Sequence, residues 1–228
     1  MLTIVFDLDG TLVDTAPDLI STLNLILARE GLPPVAYDAA RRLIGGGARR
    51  MIERAVAAEG RTLEEAELDR MFQTFIAHYA AHIADRSRPF PHVEAALAHL
   101  AEAGHRLAVC TNKLEWLSLR LLDALDLTRH FAAICGADSF GIQKPDPQML
   151  RLTVARAGGE ATRALMVGDS TTDVRTSRAA TVPVIAVDFG YSDVPLATLA
   201  PDRIISSFAE LPEAIREIQA GLMPAVRL

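Results

Sequence analysis

Clustered positive charge is missing from this sequence. Its 228 residues hold 23 Lys or Arg against 29 Asp or Glu, a formal charge of −6, with no basic run of the kind that tracks a nucleic-acid backbone. No nucleic-acid partner is therefore expected. Cysteine is scarce. Cys110 and Cys135 form no CxxC pair and each ends an apolar run, so they read as small buried thiols in reducing, cytoplasmic surroundings. No apolar stretch is long enough to span a bilayer, so no membrane partner is expected. The run from Leu2 stops at Asp7 with no basic stretch before it, unlike a secretory signal. Aromatic residues make up only 5% of the chain while 50% is hydrophobic. The core is therefore expected to be sizeable and aliphatic, not disordered. Internal repeats and low-complexity segments are absent as well.

Short apolar runs that end in turn residues organise what is present. Residues 3–6 (TIVF) are followed by Asp and, later, Gly. Similar runs cover 107–110, 132–135, 164–167, 184–187 and 203–205. None alternates apolar with polar, which fits strands of a parallel sheet covered on both faces. Helical patterns separate them at 92–103, closed by Gly104, and at 117–127, 149–157 and 173–180. This alternation predicts an α/β fold, a doubly wound parallel sheet with right-handed crossovers. From Thr15 to about Arg88 the alternation stops. Pro17 suits the start of a helix with Leu19, Ile20, Leu23, Ile26 and Leu27 on one face, and helical patterns recur over 51–58 and 63–83. So long a helical stretch is no simple crossover. The expected division is an α/β catalytic core of residues 1–14 and 89–228, with a small all-helical cap of residues 15–88.

The strongest chemical signal is FDLDGTLVDT at residues 6–15. Asp7 and Asp9 follow the first strand, and in open α/β sheets ligands bind beyond the carboxyl ends of strands. Gly10 lets the chain leave the strand tightly. Asp169 and Asp173, in GDSTTD, follow another apolar run. Each aspartate alone reads equally as a turn or N-cap residue. Gathered at one sheet edge, four acids need a cation, and hard oxygen ligands suit Mg²⁺. Thr111, after the second strand, offers a hydroxyl and backbone N–H groups to a phosphate, or else caps a helix. Lys144, in QKPDP, offers a positive charge on a loop stiffened by prolines, or else is a solvated surface lysine. Together these residues predict phosphoryl transfer. A carboxylate is a competent nucleophile when a metal and a lysine screen both anions. A second acid, Asp9, can protonate the leaving oxygen and then deprotonate the attacking water.

In order and placement these residues resemble the four motifs of the haloacid dehalogenase superfamily: DLDGT with Asp7 and Asp9, Thr111 after strand two, Lys144, and GDSTTD with Asp169 and Asp173. The resemblance covers essentially the whole chain. It implies that Asp7 is nucleophile and metal ligand, and that Asp9 is general acid/base and lends its carbonyl to the metal. It further implies that Thr111 and the Asn112 amide bind phosphate and that Lys144 bridges nucleophile and phosphate. Asp169 is then the remaining direct Mg²⁺ ligand, with Asp173 behind it. An acid at Asp9 implies a phosphate ester, because a halide leaving group needs no proton. LIGGGARRMI at 43–52 and the stretch 190–211 resemble segments of bacterial phosphoglycolate phosphatases, although Thr171 and Thr172 depart from the Arg or Asn frequent after GDS there. The implied substrate is a small phosphorylated metabolite, 2-phosphoglycolate first, and the implied protein a monomer or homodimer.

Within the cap, Gly46 and Gly47 of the Gly45–Gly47 run are expected to bring backbone amides to a substrate anion, and Arg49 or Arg50 to pair with its carboxylate. The plainer readings are a flexible loop and solvated helix charges. His78 and His82 lie at i, i+4 without the Glu of HExxH and read as surface residues. Trp116 reads as a packing residue, and Arg175 and Arg178 as surface charges. Three other functions fit the same motifs less well. A sugar-phosphate mutase of the β-phosphoglucomutase type needs cap residues that delay hydrolysis, and no clear signature of them is present. A phosphonate hydrolase needs a cap lysine, and no lysine lies between residues 1 and 112. A non-catalytic protein would not be expected to keep every acid and the lysine. Pyrophosphate, nucleotides and sugar phosphates stay as alternative substrates.

Overall fold

The computed structural model describes residues 1–192 and 194–222. In chain order its elements are β1 (Thr3–Phe6), β2 (Val13–Asp14), α1 (Ala16–Arg29), α2 (Tyr37–Arg41), α3 (Ala48–Ala58), α4 (Glu65–Ala81), β3 (Arg88–Pro89), α5 (Val93–Glu102), β4 (Arg106–Cys110), α6 (Glu115–Ala124), β5 (Ala133–Cys135), α7 (Pro147–Arg156), β6 (Ala164–Gly168), α8 (Thr171–Ala180), β7 (Val184–Val187), β8 (Arg203–Ile205) and α9 (Leu211–Leu222). Six strands form one parallel sheet in the order β5-β4-β1-β6-β7-β8. This is the doubly wound α/β arrangement that the apolar runs predict. Among the described residues, no helix is long and apolar enough to cross a membrane.

The strands are buried on both faces because their side chains alternate in direction while staying apolar. Ile4 and Phe6 of β1 join one core with Leu97, Val109 and Leu165, whereas Val5 joins the other with Ala108, Met149 and Met166. Each of these side chains larger than alanine contributes about 1.5–3 kcal/mol when fully buried. Both cysteines lie in the second core as free thiols, as read from the sequence. The first core continues through Leu12 and Leu19 into the helices α1, α3 and α4.

Helices α1 to α4 run consecutively between β2 and β3, which form a two-stranded antiparallel ribbon pairing Val13 with Pro89 and Asp14 with Arg88. Strands this short carry no readable period, so the sequence did not predict them. Asp18, buried in the first turn of α1, stitches the ribbon's return strand. It accepts the N–H groups of Arg86 and Ser87 and the Ser87 hydroxyl at 2.6–3.1 Å. Helices α2 and α9 were not anticipated. Helix α3 starts three residues before the expected 51, which puts Arg49 and Arg50 in its first turn. Trp116 corrects the packing expectation: it stands 44% exposed on α6. His78 is partly buried and bonds Thr22, and His82 pairs with Asp85. Among the described residues, no metal-ligand cluster contains either histidine. Asp193, inside the 190–211 stretch, lies outside the described residues.

Candidate active site

Register brings the chemistry to one edge. Phe6 pairs with Val109 on one side and Val167 on the other, and the Asp7 N–H continues the ladder to the Val167 carbonyl at 2.9 Å. Asp7, Thr111 and Asp169 therefore leave three adjacent strands side by side. Lys144 arrives from the loop before α7, buried, with Nζ 2.9 Å from Asp7 Oδ1 and 2.7 Å from Asp173 Oδ1. Asp173 Oδ2 accepts the N–H groups of Asp169 and Ser170 and the Ser170 hydroxyl, closing a capping box at the N-terminus of α8. Asp169 accepts from Thr11 Oγ1 at 2.8 Å on Oδ1 and from the Tyr191 N–H at 2.6 Å on Oδ2. Gly10, at φ +84°, leaves room for this: a Cβ there would lie 2.5 Å from Asp169 Oδ2.

Asp7, Asp169 and Asp173 each offer an oxygen within 4.8 Å of the others, all buried. Three carboxylates against the single ammonium of Lys144 leave two negative charges uncompensated when all three are ionised. The strain appears in their protonation. Burial first, and then the charge of Asp173, push Asp7 up to about 7 against the pull of Lys144. Burial, Asp173 and Asp7 likewise raise Asp169 well above the carboxylate range. Burial works against the charge of Lys144, but Asp173 and Asp7 outweigh it and hold it as an ammonium. A hard divalent cation fits this all-oxygen donor set and its charge deficit.

A pH dependence follows. A carboxyl whose pKa is raised on folding binds its proton more tightly when folded. The metal-free protein therefore keeps this contribution below the unfolded value, near pH 4, and loses it as pH rises through about 7. A divalent cation competes for the same oxygens. The rise in Tm on adding Mg²⁺ is expected to be larger at about pH 8 than at about pH 5.5. Paired thermal melts with Mg²⁺ and with EDTA test this, and a shift independent of pH contradicts it.

Above the cluster lies a cavity of about 390 Å³, lined on the sheet side by Asp7, Asp9, Thr111, Asn112 and Lys113 and on the other by α1, α3, α4 and Gly45–Gly47. The Thr111 hydroxyl is at the site, but its N–H is spent on the Cys135 carbonyl of β5, which corrects the expectation that it could serve a phosphate. The Asn112 side chain is also committed. It brackets the Lys144 peptide, accepting its N–H at 2.9 Å and donating to its carbonyl at 3.1 Å, and so fixes the lysine's loop. The Asn112 N–H is left without an acceptor among the described residues. Gly46 and Gly47 line the cavity, and a Cβ on Gly46 would strike Arg50 Cδ at 2.7 Å. Arg49 lines the cavity too, but its guanidinium pairs with Glu65 and Asp69 of α4. Arg50 is exposed and makes no ion pair among the described residues.

Sequence reasoning passed over Lys113. Its ammonium is buried 3.0 Å from Asp9 Oδ1 and donates to the Tyr79 hydroxyl of α4 at 3.0 Å, with the Tyr79 ring 4.5 Å away. Burial opposes its charge, but Asp9 and Tyr79 raise its pKa and keep it protonated. The contact with Asp9 has the length of a hydrogen bond without its direction: Asp9 Oδ1 is buried and receives no hydrogen bond. Tyr191 was also passed over. Its N–H holds Asp169, while its hydroxyl donates to Asp14 and accepts the Ala16 N–H, tying the acid cluster to the entry of α1.

Known proteins resemble this chain in sequence and fold. A family model described as haloacid dehalogenase-like hydrolase matches residues 4–187. A phosphoglycolate phosphatase of Mesorhizobium japonicum is 53% identical over 214 residues, covering 94% of each chain. One of Agrobacterium fabrum is 50% identical, covering 93% of this chain and 91% of its own. The crystal structure of a predicted phosphoglycolate phosphatase from Haemophilus somnus superposes with a TM-score of 0.85 at 30% identity, covering 93% of this chain and 97% of that one.

Proposed function

The chain belongs to the haloacid dehalogenase-like hydrolases and is a phosphoric monoester hydrolase, and from that premise we propose that it hydrolyses 2-phosphoglycolate through a phosphoryl group carried covalently on Asp7. The observation that carries this reading is the buried Asp7–Lys144–Asp173 contact beside a second acid, Asp9, whose Oδ1 lacks a hydrogen-bond donor at the floor of the cavity. Asp7 attacks phosphorus and the ester P–O bond breaks. Asp9 gives its proton to the departing glycolate oxygen. Asp9 then takes a proton from the water that attacks phosphorus, phosphate leaves, and the Asp7 carboxylate is restored. The Thr111 hydroxyl and the Asn112 N–H hold phosphoryl oxygens, and Lys144 balances Asp7 as its charge is transferred.

Mg²⁺ is the cation we assign to the cluster, held by the Asp7 and Asp169 side chains and the Asp9 carbonyl. When bound it screens the phosphoryl oxygens from the incoming carboxylate. Asp173 serves behind these ligands, since both its oxygens are already engaged by Lys144 and by the N-terminus of α8. Residues 15–88 act as the cap, moving on the β2–β3 ribbon and excluding water when closed. Gly46 and Gly47 bring the cap backbone to the substrate.

Of the two cap arginines, Arg50 faces the substrate more freely than Arg49. Arg50→Ala is expected to raise KM for phosphoglycolate several-fold. Arg49→Ala loses exposed ion pairs, worth about 1 kcal/mol or less, and a contact with the Phe72 ring, with a smaller change in KM. Steady-state kinetics of both variants check this, and equal effects contradict it. The wider test is phosphate release from a panel of esters with Mg²⁺ and with EDTA. Metal-dependent release that peaks on phosphoglycolate supports the reading. A peak on another ester overturns the specificity and keeps the chemistry.

A further inference from the structure

Of the 23 cationic side chains in the sequence only two are lysines, Lys113 and Lys144. Both lie buried in the site, one beside each catalytic carboxylate: Lys144 on Asp7 and Lys113 on Asp9. Arginine carries every other positive side-chain charge. Lys144 has a partner in the phosphoryl half of the reaction, whereas the phosphoryl steps leave Lys113 without a task.

We propose that Lys113 recognises the carboxylate of the substrate, the anionic group that phosphoglycolate carries one methylene beyond its ester oxygen. The inference rests on the phosphoglycolate reading and names the residue that enforces it. Asp9 must reach the ester oxygen to protonate it, so a cation 3.0 Å from Asp9 Oδ1 lies within reach of a group attached one carbon further on. A carboxylate entering there meets the acidic side chains of Asp7 and Asp9 and apolar walls such as Leu19, Phe75 and Ile76, so it needs a buried cation. Arg49 is spent on Glu65 and Asp69, and Arg50 faces the cavity from its exposed side, where water screens its charge. Lys113 is 8% exposed, and its ammonium donates to the Tyr79 hydroxyl while Asp9 Oδ1 lies 3.0 Å away out of hydrogen-bond line, which leaves it donor capacity for a ligand. Tyr79 fixes the ammonium from the cap side, so the pocket for the carboxylate is complete only with α4 in place.

Two pairs of compounds that differ in the carboxylate test this: phosphoglycolate against ethyl phosphate as substrates, and 3-phosphonopropionate against propylphosphonate as ligands. The wild type is expected to favour the carboxylate-bearing member of each pair by about thirty-fold or more. In Lys113→Met and Lys113→Gln both preferences are expected to fall at least about ten-fold. Variants that lose turnover on both esters equally and keep the binding preference overturn the proposal, because Lys113 then serves Asp9 alone. A wild type without any preference overturns the phosphoglycolate reading itself, and the inference with it, before any variant is made. Should the variants not fold, the wild type labelled at lysine gives two side-chain NMR signals to follow. The Lys113 signal is expected to move with 3-phosphonopropionate and not with propylphosphonate, and equal movement with both overturns the proposal.

Discussion

Replacing Asp7 with asparagine is expected to lower turnover by about four orders of magnitude or more while raising the stability of the metal-free protein. The two effects have separate causes. An amide cannot attack phosphorus, and removing a nucleophile from a concerted set of residues costs nearly everything the set supplies. Its shape, however, is almost that of the acid. The asparagine oxygen can still accept the Leu8 N–H, which Asp7 Oδ1 takes at 2.7 Å, and the Lys144 ammonium. What disappears is one of three buried negative charges set against one positive, in a group whose burial already pushes it up to about 7. Catalytic sites commonly hold such destabilising charge, and neutralising it trades activity for stability. Phosphate release and thermal melts in EDTA measure both. A variant that keeps more than about one hundredth of wild-type activity contradicts the role of Asp7.

Lys144→Met is expected to do the opposite to stability and the same to turnover. The Lys144 side chain is 1% exposed and touches both Asp7 and Asp173. Removing it strands two carboxylates in a buried site, a loss of about 3–5 kcal/mol when one partner of a buried pair is deleted. The damage reaches α8, because Asp173 also caps that helix. The loop itself should hold, since Asn112 brackets the backbone at 144 and not the ammonium. Turnover should fall about a hundred-fold or more, the scale of a lost transition-state contact. Mg²⁺ is expected to restore part of the melting temperature, by supplying charge, and little of the rate. Melts with and without Mg²⁺, alongside kinetics, test this. A Lys144→Met protein as stable as wild type in EDTA contradicts the assigned ion pair.

The acids were legible because each follows an apolar run, and a parallel sheet stacks the ends of such runs at one edge. Asp7, Thr111, Lys144, Asp169 and Asp173 could thus be gathered from the sequence, and the structure brings them together. Contacts made across long separations were not legible. Lys113 follows Thr111-Asn112 and looks like any cation at a helix start until Tyr79, 34 residues earlier, closes on it. Tyr191 bonds Asp14 across 177 residues, which no local pattern encodes. Arg49 looked free because nothing local places α4 beside α3; Glu65 and Asp69 claim it only in the folded chain. The Thr111 N–H looked available because the ladder between β4 and β5 runs one residue past the apolar run of β4, from Cys110 to Thr111. Trp116 failed for the opposite reason, since size and hydrophobicity argue for burial while its place on α6 leaves it outside.

The central claim is that phosphate passes through Asp7. The most direct test mixes the Asp9→Asn protein with phosphoglycolate and Mg²⁺, quenches in acid within the first turnover, and maps phosphoryl groups by peptide mass. Asp9 serves both steps, and its loss is expected to slow the attack of water more than the formation of the intermediate, so that the intermediate accumulates. The account predicts one hydroxylamine-labile phosphoryl group on the peptide that carries Asp7, and none when Asp7→Asn is added. Phosphate released in the first turnover of the Asp9→Asn protein with no phosphoryl group on that peptide, and released as fast when Asp7→Asn is added, would contradict it.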